Sequence, residues 1–396
     1  MEEWIKCNIG DVCNTISDTY RGDSDEVVLV NTSDVLDGKC MNHQKSPNKD
    51  LKGQFKKTFQ RDDILYSEIR PANKRFAYID FAGTDYIAST KLMVIRHKEN
   101  IIPQFLYYII TSQAVIEELQ MLAESRSGTF PQITFTELAK LPIELPPLSH
   151  QAKIVRFLKS LDDKIEVNRR INDNLEQQAQ ALFKSWFVDF NPFKDGEFVE
   201  SEVGMIPKGW RAGTLSEIAN ITMGTSPSGA SYNVNGEGEV FYQGRAEFGY
   251  RFPHRNMYTT EPKRYAEDGD VLLSVRAPVG DVNIANERCC IGRGLAAIGS
   301  ESCPSYILYL VKSLKSVFEQ YNGEGTVFGS INKKTLEGLR IIVPESKYIE
   351  RFEKVANPLD GQIRCKEEES RRLASLRDTL LPKLMSGELK LNEVNV

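Results

Sequence analysis

Two stretches of this chain repeat apolar residues in alternating steps of four and three. The first runs Ile154, Leu158, Leu161, Ile165, Asn168, Asn172, Leu175, Ala179, Leu182 and Trp186. That is a heptad repeat, and it predicts one long helix with a narrow apolar seam. Pro147 stands where a helix starts and Asn191-Pro192 where one stops. The second stretch runs Phe352, Ala356, Leu359, Ile363, Lys366, Ser370, Leu373, Leu376 or Arg377, Leu380 and Leu384, with less tidy late heptads. Proline has no amide hydrogen and its ring crowds the preceding turn. Pro358 therefore fits only as a kink or in a first turn, which points to a start near Pro358. A helix of about 35 residues is about 50 Å long. One narrow stripe is not stable alone in water, so the two stripes are natural partners. Laid antiparallel with full overlap, they would bring Asn168 and Asn172 to Lys366 and Ser370, a polar middle that fixes register at some cost in stability.

The stripes belong to a larger duplication. Ile133, Leu138, Leu141 and Pro146 parallel Ile331, Leu336, Leu339 and Pro344 at an offset of 198 (331 − 133), and the offset persists at Leu161/Leu359, Asp162/Asp360, Leu175/Leu373 and Leu182/Leu380. Upstream, Trp4 pairs with Trp210, Asp63 with Asp270, Arg70 with Arg276 and Thr129 with Thr326 at slightly different offsets. Each copy opens with a mixed segment, 1–147 and 208–345. Short β-type runs (63–67, 76–79, 271–275, 290–291) alternate there with helical runs (103–118, 304–320) and frequent turn residues. The expected fold is α+β. Two similar α/β domains alternate with two long helices, 148–190 and 346–396, packed as an antiparallel coiled coil with a pseudo-two-fold; 191–207 is a linker.

Composition narrows the class. Hydrophobic residues are 41% and charged residues 27% of the 396, an ordinary globular balance. The net charge of −5 excludes a uniformly basic nucleic-acid binder, so contact with nucleic acid must come from local patches or a partner. The acidic start, Met1-Glu2-Glu3-Trp4, has no signal-like segment, and no apolar run reaches the roughly 20 residues of a membrane span. Seven cysteines without a C-x-x-C pair fit a reduced, cytoplasmic setting.

Local basic patches are present in both copies. Lys45, Lys49, Lys52, Lys56, Lys57 and Arg61 face one acid, Asp50, a local net of 6 − 1 = +5, and Arg70, Lys74 and Arg75 follow. From Gln243 to Arg264 come Arg245, Arg251, Arg255, Lys263 and Arg264 against Glu247 and Glu261, a net of 5 − 2 = +3, with His254 and several aromatics among them. Arginine and lysine contact phosphates and guanine edges, and glutamine and asparagine read adenine edges. The candidate DNA contacts are these cations with Gln243 and Arg276. Arg126, Thr129 and Gln132, and Thr326 and Asn332, join them, because their Gly-Thr turns lead toward short helices whose amides can meet a phosphate. Any one such run is equally readable as a solvated loop; the presence of one in each copy favours recognition.

Catalytic alternatives lack their context. Asn191-Pro192-Phe193 imitates an adenine-methyltransferase loop but lacks the second proline and follows a long helix. Gly292-Arg293-Gly294 imitates a dinucleotide loop without room for its helix, and reads as a strand and turn. Glu345-Ser346-Lys347 has a nuclease-like shape but no acidic partner, and His43, His97, His150 and His254 are isolated. Trp186 and Phe187 read as helix-end packing. No metal-spaced cluster appears, so neither a metal nor a cofactor is expected on this chain.

Together, Gly209-Trp210, Leu215 to Ile218, Gly269 to Ser274, Gly128-Thr129, Leu145 to Pro147, Gln151 to Ile154, Asn168 to Asn172 and Leu182 to Phe187 carry a resemblance over nearly the whole chain. The chain resembles the specificity subunits of type I restriction-modification systems. The resemblance implies a non-catalytic subunit whose two target-recognition domains each read one half of a bipartite double-stranded DNA site. It also implies helices that serve as a ruler and as a dock for two methyltransferase subunits, with a separate restriction motor-nuclease. S-adenosylmethionine, ATP and Mg are then expected on those partners. The alternative is a coiled-coil scaffold whose heads bind protein.

Overall fold

The computed structural model describes residues 4–49, 53–125, 131–322 and 329–389. The chain divides into two compact units, one from 1–166 with 370–396 and one from 167–369. Lys52, Arg126, Thr129 and Thr326, all named above as candidate contacts, lie outside the described residues.

The first unit holds two four-stranded sheets. One is antiparallel in the order Cys13–Ile16, Leu92–His97, Ile64–Ser67, Phe76–Tyr78. The other runs Lys45–Pro47, Glu26–Val30, Tyr86–Ser89, Phe55–Lys57, with one parallel pair between Glu26–Val30 and Tyr86–Ser89. Strand Ile5–Asn8 pairs with Pro142–Leu145. The helical run expected over 103–118 is two helices, Pro103–Ile110 and Gln113–Ser125. They break at Thr111, whose hydroxyl bonds the Tyr107 carbonyl and competes with the ladder. Ile64, Phe105, Leu106, Ile110 and Leu119 are buried in one core together with Ile154, Leu158, Leu381 and Leu384 of the long helices.

The second unit repeats this plan. Its antiparallel sheet runs Asn220–Met223, Leu295–Gly299, Val271–Ser274, Val282–Ile284. Its five-stranded sheet again contains one parallel pair, Glu239–Tyr242 with Cys289–Ile291. Arg211–Thr214 pairs with Arg340–Val343, as the first strand does in the other unit. The helical run over 304–320 is also split, into Pro304–Ser313 and Lys315–Glu319.

The long helices are Leu148–Phe187 and Ser346–Met385, 40 residues each and offset by 198 at both ends (346 − 148, 385 − 187). The second therefore begins twelve residues before Pro358 (358 − 346), and Pro358 lies inside it. The correction has a simple cause. Pro358 is exposed, so its ring and the carbonyl it leaves unbonded face water, while Phe352, Ala356 and Ile363 are buried and hold the backbone on either side. Between the helices, the expected linker contains a hairpin, Phe198–Ser201 with Gly204–Pro207.

Within each unit the helix segments run antiparallel. In the first, Arg377 reaches Asp162 at 2.7 Å. In the second, Asn168 reaches Glu369 at 3.0 Å, and the Phe183 and Phe352 rings stand 5.7 Å apart. The expected seam residues Ile154, Leu158, Leu161, Asn168, Asn172 and Ala179 are buried. The polar middle differs in detail: Asn168 and Lys366 converge on Glu369, the latter at 3.1 Å.

Candidate nucleic-acid interface

The same backbone tip occurs in each unit, at the end of the sheet's third strand. In the first, the Glu68 amide donates to the Lys91 carbonyl (3.0 Å), the Arg70 amide to the Pro131 carbonyl (3.1 Å) and the Ile133 amide to the Glu68 carbonyl (2.9 Å). In the second, Val275 donates to Gly294 (2.9 Å), Ala277 to Gly329 (3.0 Å) and Ile331 to Val275 (3.1 Å). The isolated bridges agree, Ile69 with Gln132 and Arg276 with Ser330. Arg276 thus corresponds to Ile69, and Arg70 to Ala277. The sequence pairing of Arg70 with Arg276 is off by one residue, because residue-type matching through a turn does not follow the backbone bonds.

Each tip presents cations in its own way. Arg70 (φ 45°) and Lys74 (φ 51°) flank the Pro71–Asn73 turn in the left-handed region. For side-chain-bearing residues that conformation costs on the order of 1 kcal/mol each. The Arg70–Pro131 bond and an Ala72 amide bond to the Gln120 side chain (3.1 Å) hold it. Both side chains are exposed and form no ion pair among the described residues. Lys91 lies beside them, 3.4 Å from Gln132 and 3.8 Å from Glu68. In the second unit, a Cβ on Gly224 would meet the Gly292 carbonyl oxygen at 2.2 Å, and one on Gly292 would meet the Gln243 Cα at 2.9 Å. Three backbones therefore converge where only glycine fits. Arg293, between Gly292 and Gly294, is exposed on this junction, and its amide donates to Ser226 (3.2 Å). Sequence reasoning missed Arg293 as a candidate; an arginine bracketed by glycines at a tight turn between two strands is the signal that marks it.

The other candidates divide by what holds them. Lys45 and Lys56 are exposed, but on opposite edge strands of one sheet, so they do not form one patch. Lys49, Arg61, Lys263, Arg264, Arg276, Gln243 and His254 are exposed. Lys57 is turned inward. Its ammonium donates to the Leu92 carbonyl at 2.8 Å, and burial draws its pKa below the usual lysine value. Arg75 donates to the Ser33 carbonyl at 3.1 Å. Arg245 pairs with Asp281 (2.6 Å) and Arg255 with Glu287 (2.5 Å). Asn332 caps the Lys333–Glu337 helix, accepting from the Thr335 amide at 3.0 Å. Arg251 is the clearest correction. It is 3% exposed and its guanidinium is committed to Glu176 and Asp360, so it is not a surface contact.

The remaining sequence features have structural settings. Asn191–Phe193 forms a short turn whose Phe193 ring packs against Trp210 (4.9 Å) and Tyr348 (4.7 Å). Gly292 to Gly294 is the turn between two strands. Lys347 pairs with Glu345 at 2.7 Å. Among the described residues no helix is long and apolar enough to cross a membrane.

A repeated α/β head with a cation-bearing tip, each followed by a 40-residue helix, defines a two-domain DNA-recognition protein of the specificity-subunit class. The chain belongs to the type I restriction modification DNA specificity domain family, whose model matches residues 1–177 and 207–360. It is similar to the type I restriction enzyme HindI specificity subunit of Haemophilus influenzae, with 31% identity over 467 residues, 98% of this chain and all of that protein. It is also similar to the putative type I restriction enzyme MjaX specificity subunit of Methanocaldococcus jannaschii, with 33% identity over 336 residues, 83% of this chain and 78% of that protein. In fold it is similar to the S subunit of a type I restriction-modification system from M. genitalium (TM-score 0.53, 17% identity, 97% and 96% of the two chains).

Proposed function

We propose that this specificity subunit reads a bipartite double-stranded DNA target, one block per head, and carries no catalytic centre of its own. Its long helices dock two methyltransferase subunits and, through them, restriction subunits. S-adenosylmethionine, ATP and Mg reside on those partners, and the complex works in the cytoplasm. The observation that carries this reading is the recurrence of one cation-bearing backbone tip in both heads, built by the same three amide bonds. Exposed arginines and lysines on a rigid turn supply phosphate contacts and guanine-edge readout.

The test is selection from random duplex by the full chain with a methyltransferase partner. Two short blocks at one fixed separation are expected; no enrichment with the partner present refutes the reading. Adding one heptad near Asn168 and one near Lys366 should lengthen the unread gap. Seven residues add about 10 Å of helix, about three base pairs, with both blocks unchanged. Altered blocks at an unaltered gap contradict the ruler role.

A further inference from the structure

The second unit carries a buried ionic cluster that DNA contact does not use. Loop 244–257 joins strand Glu239–Tyr242 to Tyr258–Thr259 and holds four of the basic candidates. At its middle, Arg251 turns inward and forks. One nitrogen binds Glu176 of the first long helix and the other binds Asp360 of the second. The Tyr309 ring lies 6.0 Å beneath the guanidinium, and its hydroxyl donates to Asp360 at 2.7 Å. Next in the loop, Tyr250 donates to Asp173 at 2.6 Å. Lys312 is the second cation on Glu176. The loop backbone is fixed as well. The Ile284 amide donates to the Arg251 carbonyl and the Asn283 side chain to the Gly249 carbonyl, each at 3.0 Å.

The first unit repeats the acid and the tyrosine but not the arginine's origin. Tyr108 donates to Asp162 at 2.6 Å, as Tyr309 does to Asp360. The arginine on Asp162 is Arg377, which comes from the second long helix and not from the head. The second head has thus placed on its own basic loop the cation that the first unit takes from a helix. Two cations face two carboxylates in the second unit, so removing Arg251 leaves a largely buried acid uncompensated, cuts the loop's ionic tie to both helices and leaves Tyr250 on Asp173 as its side-chain bond to the first.

We infer that Arg251 is a positioning residue that ties the second head's basic loop to both long helices, so that one half-site and its distance from the other depend on it. The inference rests on the reading above, and the experiment separates the two. Wild type, Arg251→Lys, Arg251→Met and Tyr309→Phe, each as full chain with a methyltransferase partner, are compared by selection and by amide hydrogen exchange. In Arg251→Met, exchange over 249–257 should rise at least tenfold with residues 64–96 unchanged, whether or not DNA binds. Selection should then degrade one block and spread the gap over neighbouring lengths, leaving the other block intact, with Arg251→Lys intermediate. Unchanged exchange, or loss confined to neither block, overturns the inference. If Arg251→Met does not fold, Tyr309→Phe carries the test, with a smaller rise over the same residues expected and no rise overturning it. A wild-type chain that selects no bipartite site refutes the DNA reading alone, while the exchange comparison still decides the positioning role.

Discussion

Asn172 is fully buried in the helix seam, and among the described residues neither atom of its side-chain amide finds a hydrogen-bond partner. Burying an unsatisfied amide costs about 1–3 kcal/mol. Replacing it with leucine, of similar size, removes that penalty and adds apolar burial of about 1.5–3 kcal/mol. The leucine's branch meets a packed seam, where misfit takes back about 1–3 kcal/mol. The balance is a stabilisation of about 1–3 kcal/mol for Asn172→Leu. In a unit of this size each kcal/mol moves Tm by about 2–4 °C, so scanning calorimetry on the full chain should record a rise of about 2–12 °C. Asn172→Asp should move the other way, because a charge then sits where no partner exists. A lowered Tm for the leucine variant would show that the amide is satisfied in solution, and would refute the reasoning. A polar residue at a seam also disfavours other registers. The stabilised variant should therefore select DNA with a broader spread of gaps, which connects a local packing defect to the protein's selectivity.

Glu353 is buried beneath the Pro304–Ser313 helix and accepts from the Tyr306 amide at 2.6 Å. Burial, with Asp360 nearby, pushes its pKa up to about 7 against the Tyr306 bond. A raised acid keeps its proton in the folded state while the unfolded chain releases it, so stability is lost as pH rises from about 4.5 to about 7. Glu353→Gln should flatten that decline, with the gain over wild type small at pH 5 and full at pH 8 in urea titrations. Gln151 already plays this part in the first unit, accepting from the Ile102 amide at 2.8 Å. Alanine at Arg276 or Arg293 should weaken binding to the cognate site and degrade one block, and alanine at Arg70 should degrade the other. A lost base contact costs about 1–3 kcal/mol, and a lost phosphate contact lowers the salt slope by about 1, so titration at several salt concentrations sorts them.

The helices were legible because a heptad needs only local spacing, and the duplication because its offset survives through helix packing. What failed depends on partners far along the chain. Arg251 reads as one basic residue in a basic loop, yet its acids lie 75 and 109 residues away. Arg245 and Arg255 are likewise paired with Asp281 and Glu287, so three of the five cations that singled out this stretch are internally paired. Pro358 misled because proline's effect depends on which face of the helix it occupies, and that face is open to water. Arg293 was passed over because its glycines were weighed only as a phosphate loop, when their role is to let three strands of backbone meet.

The two tips share a frame and differ in what they present. The amide bonds of Glu68, Arg70 and Ile133 recur at Val275, Ala277 and Ile331. At the corresponding surface positions, Ile69, Arg70 and Lys91 of the first head stand against Arg276, Ala277 and Gly294 of the second. Hydrogen-bonding side chains in one head are thus replaced by apolar or absent ones in the other, and the reverse. Two heads selected to read a palindrome would keep the same groups at the same places, because each base edge demands its own donors and acceptors. Repetition of the frame with divergence of the groups therefore predicts two blocks of different sequence. Selection with the wild-type chain decides this directly: a palindromic pair of blocks would mean that the tips do not choose the bases.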